Sequence, residues 1–514
     1  MKAVSISTLF VLLLAAGAFA QNPQSDSTGM HMPSGTKPDL QPQGQATPEQ
    51  QGGMEGMEMR TPEGTASHVA EVQEPENPLQ RTGSITSVPD LLQDAQKVPA
   101  KQLADFEALA LKNNPTLKQA QSIAKADTGL AHQAGLWPNP SVGYQGEEIR
   151  GGVFRGGEQG GFVQQKVVLG GKLRLRRDVY EQQQKADQLG MEEQKLDVRG
   201  AVEMHFYSAL ALLRRVAIQR ELLSVAMDAE KTAHQLANVG QADAPDVLQA
   251  EAEAEQAKLD FVRAERDYIQ SYQQIAAIAG DPQMPVSLLD GDLENPPIID
   301  PEKYVQDLVA NSPTLRRAQQ EATQAEAALA RDKHESIPDL ILRAGLQQDL
   351  ELNEFSGSPV GVIGFATAGI QIPLFNRNQG NVQASRANLE NAQQEVERTR
   401  LQLLQNAQPL LQQYLTGKFE AERYSKEIIP RAQRAYELYL LKYRNMAAAY
   451  PEVLVSQRTL FQAKDAYIRT LGEIWTTSVQ LQNYLLADGL RAPVPSGNTS
   501  TQINLPTNAS GGTE

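Results

Sequence analysis

The residues of this chain best suited to chemistry sit close to its start. Met30-His31-Met32 and Met54, Met57 and Met59 place five of the eleven methionines within thirty positions. Thioether sulfur is a soft ligand suited to Cu(I) and, by extension, Ag(I), and imidazole suits many metals. The segment is therefore a candidate metal scavenger; the alternative is a linker whose methionines have no role. No other constellation in the sequence supports chemistry. There is no Cys, which excludes a disulfide framework, a thiolate metal site, a cysteine nucleophile and a lipid-modified Cys. His132, His205, His234 and His334 are scattered, with no HExxH or paired spacing, so no catalytic zinc is expected. Gly170-Gly171-Lys172 invites a P-loop reading. It fails because Leu173 stands where Ser or Thr is required and Lys166 where the first Gly is required. No catalytic residue or cofactor site is read, and the chain is not expected to be an enzyme.

Composition narrows the partners. The 514 residues carry a net charge of −15, which argues against nucleic acid, because phosphate neutralisation needs clustered Lys and Arg. Residues 1–20 read as a secretory signal peptide: Lys2, an apolar run from Phe10 to Ala20, and small residues at Ala18 and Ala20. Residues 21–100 form a Met/His/Pro/Gly-rich leader expected to be disordered, and 491–514 a Ser/Thr/Asn-rich tail expected to be the same. No other stretch reaches eighteen apolar residues, so a membrane could be crossed only by a β-barrel.

Between the tails the chain repeats itself. Asn114-Pro115-Thr116-Leu117 answers Ser312-Pro313-Thr314-Leu315, and Pro245-Asp246-Val247-Leu248 answers Pro451-Glu452-Val453-Leu454. Gln256-Ala257-Lys258 answers Gln462-Ala463-Lys464. The shared order indicates a duplication, with repeats over 101–290 and 291–490. Each half has the same plan. A helix opens it (102–135; 301–335) and two strands follow (140–149 and 161–169; 338–348 and 360–373). Two very long helices then meet at a tight turn (174–237 and 245–279; 378–444 and 452–487). Val198, Val202, Phe206, Leu210, Leu213 and Ala217 step at helical spacing. So do Ala254, Ala257, Phe261, Ala264, Tyr268, Tyr272 and Ile275, and Leu389, Ala392, Val396, Thr399 and Leu403. Leu212, Val216 and Leu223 add a second apolar line, as expected for a helix with neighbours on both sides. The glycines from Gly151 to Gly161 read as an exposed loop.

The strands have the length of tilted membrane strands, but one chain supplies four, too few to close a barrel. Either several chains share one barrel, or the four strands form a soluble sheet capping the helices.

Taken in order, these pieces resemble the TolC family of outer membrane efflux proteins over about Leu103 to Leu490. The resemblance rests on the duplicated plan and on Ala108 to Pro115 (ALALKNNP), Trp137-Pro138-Asn139-Pro140, Gln165 to Lys172 (QKVVLGGK) and Gln371 to Asn376 (QIPLFN). It implies a mainly α fold with a β-barrel contribution. Three chains build a twelve-stranded barrel in outer membrane lipid, continued by a periplasmic α-helical tunnel. It implies a homotrimer that docks through a periplasmic adaptor to an inner-membrane pump, of the RND type, and that acts as a passive exit duct. The family's tip motif is matched by Val239, Gly240, Asp246, Val247 and Leu248, implied to dock the adaptor, with Asp246 capping the returning helix. In the second half Tyr443 and Glu452 match, Met446 replaces the Gly, and Glu452 is the candidate for an acidic ring at the tunnel aperture. Lys172 becomes a cation at the barrel–tunnel junction and Trp137 an interfacial aromatic. Trp475 is read as either interfacial or helix-packed. The Met/His leader tilts the expected cargo toward heavy-metal cations such as Cu/Ag or Co/Zn/Cd. Alternatives are a duct for drugs or organic compounds, or a secreted helical-hairpin scaffold with no channel. A periplasmic adaptor would have one hairpin rather than two.

Overall fold

The computed structural model describes residues 90–149, 157–352, 355–445 and 447–496. The signal segment 1–20, Met30, His31, Met32, Met54, Met57, Met59 and Met446 lie outside the described residues.

Two successive halves share one order of elements. The first is α1 (Leu103–Asn113), α2 (Pro115–Ala134), β1 (Ser141–Glu147), β2 (Glu158–Val167), α3 (Lys172–Asn238) and α4 (Ala244–Ile278). The second is α5 (Pro301–Asn311), α6 (Pro313–His334), β3 (Leu340–Leu352), β4 (Pro359–Ile370), α7 (Gln379–Arg423), α8 (Ile429–Arg444) and α9 (Tyr450–Gln482). At 67 residues, α3 is about 100 Å long.

Three expected elements differ from those observed, and proline explains two. The single opening helix of each half is a pair, broken at Asn114-Pro115 and Ser312-Pro313. Proline bars the helical region to the residue before it, and Asn114 and Ser312 take ψ of 125° and 123°. Asn114 is fully buried and uses the break: its Oδ1 accepts from Thr116 N at 2.9 Å, and its Nδ2 donates to the carbonyls of Ile278 and Gly489, each at 3.0 Å. The expected helix 378–444 is interrupted by a π-helical turn over Tyr424–Ile428, ahead of Pro430. Pro430 has no N–H and crowds the carbonyl four residues back, so the ladder widens there. Third, β2 begins at Glu158, so Gly160 and Gly161 belong to a strand rather than to the expected loop.

The α4 seam buries as its spacing requires and the α3 seam largely does, whereas on α7 only Thr399 and Leu403 are buried and Leu389, Ala392 and Val396 are half-buried. Every member of the α4 line from Ala254 to Ile275 is buried, and Tyr268 and Tyr272 reach Ser287. On α3, Val198, Val202, Phe206 and Leu210 are buried, but Ala217 is exposed and Val216 takes its place. The drift follows from 3.6 residues per turn against steps that average longer. Phe106 of α1 packs edge-on against Tyr272 at 5.7 Å and tilted against Phe206 at 6.1 Å, closing the core between α1, α3 and α4.

The ends of the described chain are packed as well. The leader, expected to be disordered to residue 100, is folded over 90–100. Leu92 is buried, Leu91 N donates to Glu265 Oε2 at 3.1 Å, and Arg220 bridges Asp90 at 3.2 Å. The physical reason is a local apolar pair, Leu91-Leu92, in an otherwise polar segment. The tail, expected from 491, is likewise held to 496: Ser496 N donates to Asp187 Oδ1 at 2.8 Å. Asp488 N and Gly489 N donate to Asp197 at 2.9 and 2.8 Å. Asp187 also faces Asp127, whose carboxyl is pushed up to about 8 by burial and by that neighbouring acid.

Candidate functional site: the four strands and the helical tips

The four strands form one antiparallel sheet in the order β1-β2-β3-β4. Its register sorts residues onto two faces, because side chains alternate and paired residues point the same way. One face carries Val142, Tyr144, Val163, Leu342, Leu346, Val362 and Ile370, all well exposed. The other carries Gln145, Glu147, Glu158, Gln164, Arg343, Gln347, Asp349 and Thr367. An apolar face turned outward is costly in water and favourable against lipid. The outer strands β1 and β4 each leave one edge unpaired. Among the described residues no helix is long and apolar enough to cross a membrane.

Strand-to-helix turns set the junction. Gly170 and Gly171 have φ of +70° and +69°, the left-handed region that disfavours a Cβ. In the second half Asn378 does the same at +62°, as Asn tolerates this region. The first turn buries Lys172, whose Nζ sits 2.6 Å from Asp339 Oδ1; Lys166 reaches Oδ2 of the same carboxylate at 3.0 Å. Lys172 is thus a buried ion-pair partner at the junction between sheet and helices. Trp137 is exposed beside the start of β1. Trp475 is a packing residue: it stacks on Tyr207 at 3.6 Å and donates to Leu293 O at 2.8 Å.

At the far end of the helices the two hairpins α3–α4 and α8–α9 meet. Gly240 has φ +71°. Its N–H donates to Ala237 O at 3.0 Å and Gln241 N donates to Leu236 O at 2.8 Å, the paired bonds that finish a helix at a left-handed glycine. In the second hairpin Ala447 N makes the corresponding bond to Lys442 O at 2.8 Å. Asp243, not Asp246, holds the N-cap position of α4, without a side-chain capping bond, and Asp246 lies in the first helical turn. There its charge still complements the helix dipole. Glu452 holds the matching place in α9 and is exposed. Of the first tip, Val239 and Leu248 are exposed, while Val247 packs inward beside Ala233, Ala250 and Tyr450. Tyr443 is half-buried against Tyr450 at 5.7 Å, and burial followed by the charge of Asp246 pushes its phenol up. Tyr450, absent from the expected site, is the buried centre where the hairpins join, with its phenol pushed up to about 12 by burial. Arg458 clamps the same joint to Glu253 at 2.5 Å. Only the Tyr-Pro-Glu start of α9 could have signalled Tyr450.

His234 and Glu251 approach to 3.1 Å across the first hairpin. Among the described residues no group of His, Cys, Asp or Glu could hold a metal ion.

The outer membrane efflux protein family model matches residues 108–281 and 304–485. The chain belongs to the outer membrane efflux protein family. Its two matched segments coincide with the two structural halves. The cobalt-zinc-cadmium resistance protein CzcC of Cupriavidus metallidurans is 25% identical over 378 residues, 74% of this chain and 88% of that one. The nickel-cobalt-cadmium resistance protein NccC of Alcaligenes xylosoxydans xylosoxydans is 25% identical over 328 residues, 63% of this chain and 70% of that one. The solved outer-membrane channel OprN superposes with a TM-score of 0.62 at 16% identity, covering 76% of this chain and 91% of its own. For an outer membrane efflux protein the two faces of the sheet acquire meaning. The apolar face meets lipid, the polar face lines the lumen, and the helices extend on the periplasmic side.

Proposed function

We propose that this protein is the exit duct of a tripartite efflux system for heavy-metal cations such as Cu/Ag or Co/Zn/Cd. In this reading three copies close one twelve-stranded barrel, and a periplasmic adaptor links it to an inner-membrane pump of the RND type. The observation that carries the reading is the two-faced sheet with two open edges. Open edges are untenable in lipid, and three four-stranded sheets joined edge to edge leave none. In this reading the duct is a passive conduit, as membership of the outer membrane efflux protein family supports. The cargo class is supported by CzcC and NccC, whose names record cobalt, zinc, cadmium and nickel.

Val239, Gly240, Asp246, Val247 and Leu248 form the adaptor-docking tip, supported by the outward exposure of Val239 and Leu248. Tyr443 and Glu452 stand at the aperture, with Glu452 the exposed acid. The leader ligands Met30, His31, Met32, Met54, Met57 and Met59 collect soft cations near the duct. Growth of a deletion strain across cobalt, zinc, cadmium, nickel, copper and silver, with a detergent panel beside it, tests this. Sensitivity to the metals, restored by the full-length gene, supports the duct and its cargo. Sensitivity to detergents alone moves the cargo to organic compounds. Rescue by a chain lacking residues 28–60 as complete as by the full chain makes the leader a plain linker.

A further inference from the structure

We propose that Asp127 and Asp187 share one proton and act as a pH-sensitive latch for the strap of chain over residues 491–496. Asp127 lies on α2 and Asp187 on α3, and they are only 3% and 4% exposed. Each has one oxygen engaged. Asp127 Oδ1 accepts from Gln183 Nε2 at 2.8 Å, and Gln324 of α6 fixes that amide by donating to Gln183 Oε1 at 3.1 Å. Asp187 Oδ1 accepts from Ser496 N at 2.8 Å. The second oxygen of each, Oδ2, is buried without a hydrogen-bond partner. Two ionised carboxyls facing each other offer acceptors and no donor. One proton between them supplies the donor and removes one of the two buried charges.

The strap is bonded to both halves of the chain. Gln194 of α3 donates to Arg491 O at 3.2 Å. Arg317 of α6 donates to Val494 O and, at 3.3 Å, to Ser496 Oγ, which in turn donates to Glu321 at 2.9 Å. Pro493 and Val494 of the strap line a small cavity together with Asp187 and Arg317. The charge around the latch already leans to acids. Arg317 stands 3.9 Å from Asp187 and also answers Glu193 of α3 at 3.5 Å and Glu321 at 3.2 Å. Tyr180 of α3 feels both Asp127 and Arg331 of α6, and Arg331 is paired with Asp332 at 2.8 Å. Lys125 and His132 of α2 and Arg491 of the strap are exposed. A second charge on the pair would therefore set four acids against the Arg317 guanidinium.

Burial first, and Asp187 after it, push the Asp127 carboxyl up to about 8, with the Gln183 bond opposing. Lifting the strap admits water to the pair, and the carboxyl returns toward its ordinary value near 3.9. The fastened strap thus keeps a proton that the lifted strap has lost. Fastening is strongest at low pH, weakens as pH rises to about 8, and is level above that.

The test is hydrogen exchange at the Ser496 amide of the purified full-length protein from pH 5 to pH 9. It is read as a protection factor, so that the intrinsic pH dependence of exchange cancels. Protection should fall by up to about tenfold per pH unit as far as about pH 8, and level off above it. Asp127→Asn, whose amide donates to Asp187 at any pH, should hold protection constant. Asp187→Asn keeps an oxygen for Ser496 N and turns its amide to Asp127, and should give the same flat profile. Wild-type protection that does not change between pH 5 and pH 8, or a slope that survives in whichever variant folds, overturns the inference.

Discussion

Glu265 shows how a single carboxyl ties the chain's start to the helices. It is fully buried, faces Asp90, and accepts from Leu91 N. Burial first, and the neighbouring acid Asp90 after it, push it up to about 7, with the Leu91 bond and Arg220 opposing. An unfolded Glu titrates near 4.3. The folded state therefore binds the extra proton, and the resulting stability is full below about pH 4.3 and lost as pH rises through about 7. Protection factors for amide exchange over residues 90–97 should fall between pH 6 and pH 8. Glu265→Gln should abolish that pH dependence and add on the order of 2 kcal/mol at pH 8, read from denaturant melts. Gly240 makes a second residue-scale prediction. Its φ of +71° costs a side chain roughly 1 kcal/mol, so Gly240→Ala should fray the last turn of α3. Faster exchange at Leu236 to Gln241, with α9 unaffected, is the expected signature.

At the scale of elements, the sheet and the helices depend on one buried ion pair. Asp339 compensates Lys172 in a site where an unpaired cation is costly. Asp339→Asn should cost about 3–5 kcal/mol, and the double variant Asp339→Asn with Lys172→Met should recover much of it. Thermal stability of the oligomer on semi-native gels measures both. The sheet's two faces make a sharper contrast. Leu346→Arg places a charge on the apolar face and should cost about 2–4 kcal/mol of folding into vesicles. Thr367→Arg, on the polar face, should leave folding within about 1 kcal/mol of the wild type. Equal costs would mean that the apolar face does not meet lipid.

At the scale of the whole molecule, the unpaired edges of β1 and β4 demand partners. Native mass spectrometry in detergent should give three chains, and a monomer at working concentration would sink the shared barrel. The duplicated plan, the long helices and the seams were legible in the amino-acid sequence because period and proline act locally. Ala254 to Ile275 bury as spaced, and Gly240 turns where only glycine turns easily. Other features depend on which residues meet across a hundred or more positions, which no local pattern records. Lys172 and Asp339 are 167 residues apart, and Tyr450 meets Ala233 and Ala250 from the other half. The meeting of Arg343 with Gln145, Phe162 and Phe365 needs four strands in one register. The fold of the leader's end turns on a groove that receives Leu92, not on the composition around it. Periodicity, turn chemistry and repetition were therefore set by the sequence alone. Burial of charge, the meeting of the hairpins and the two faces of the sheet were decided only in three dimensions, because desolvation depends on every neighbour at once.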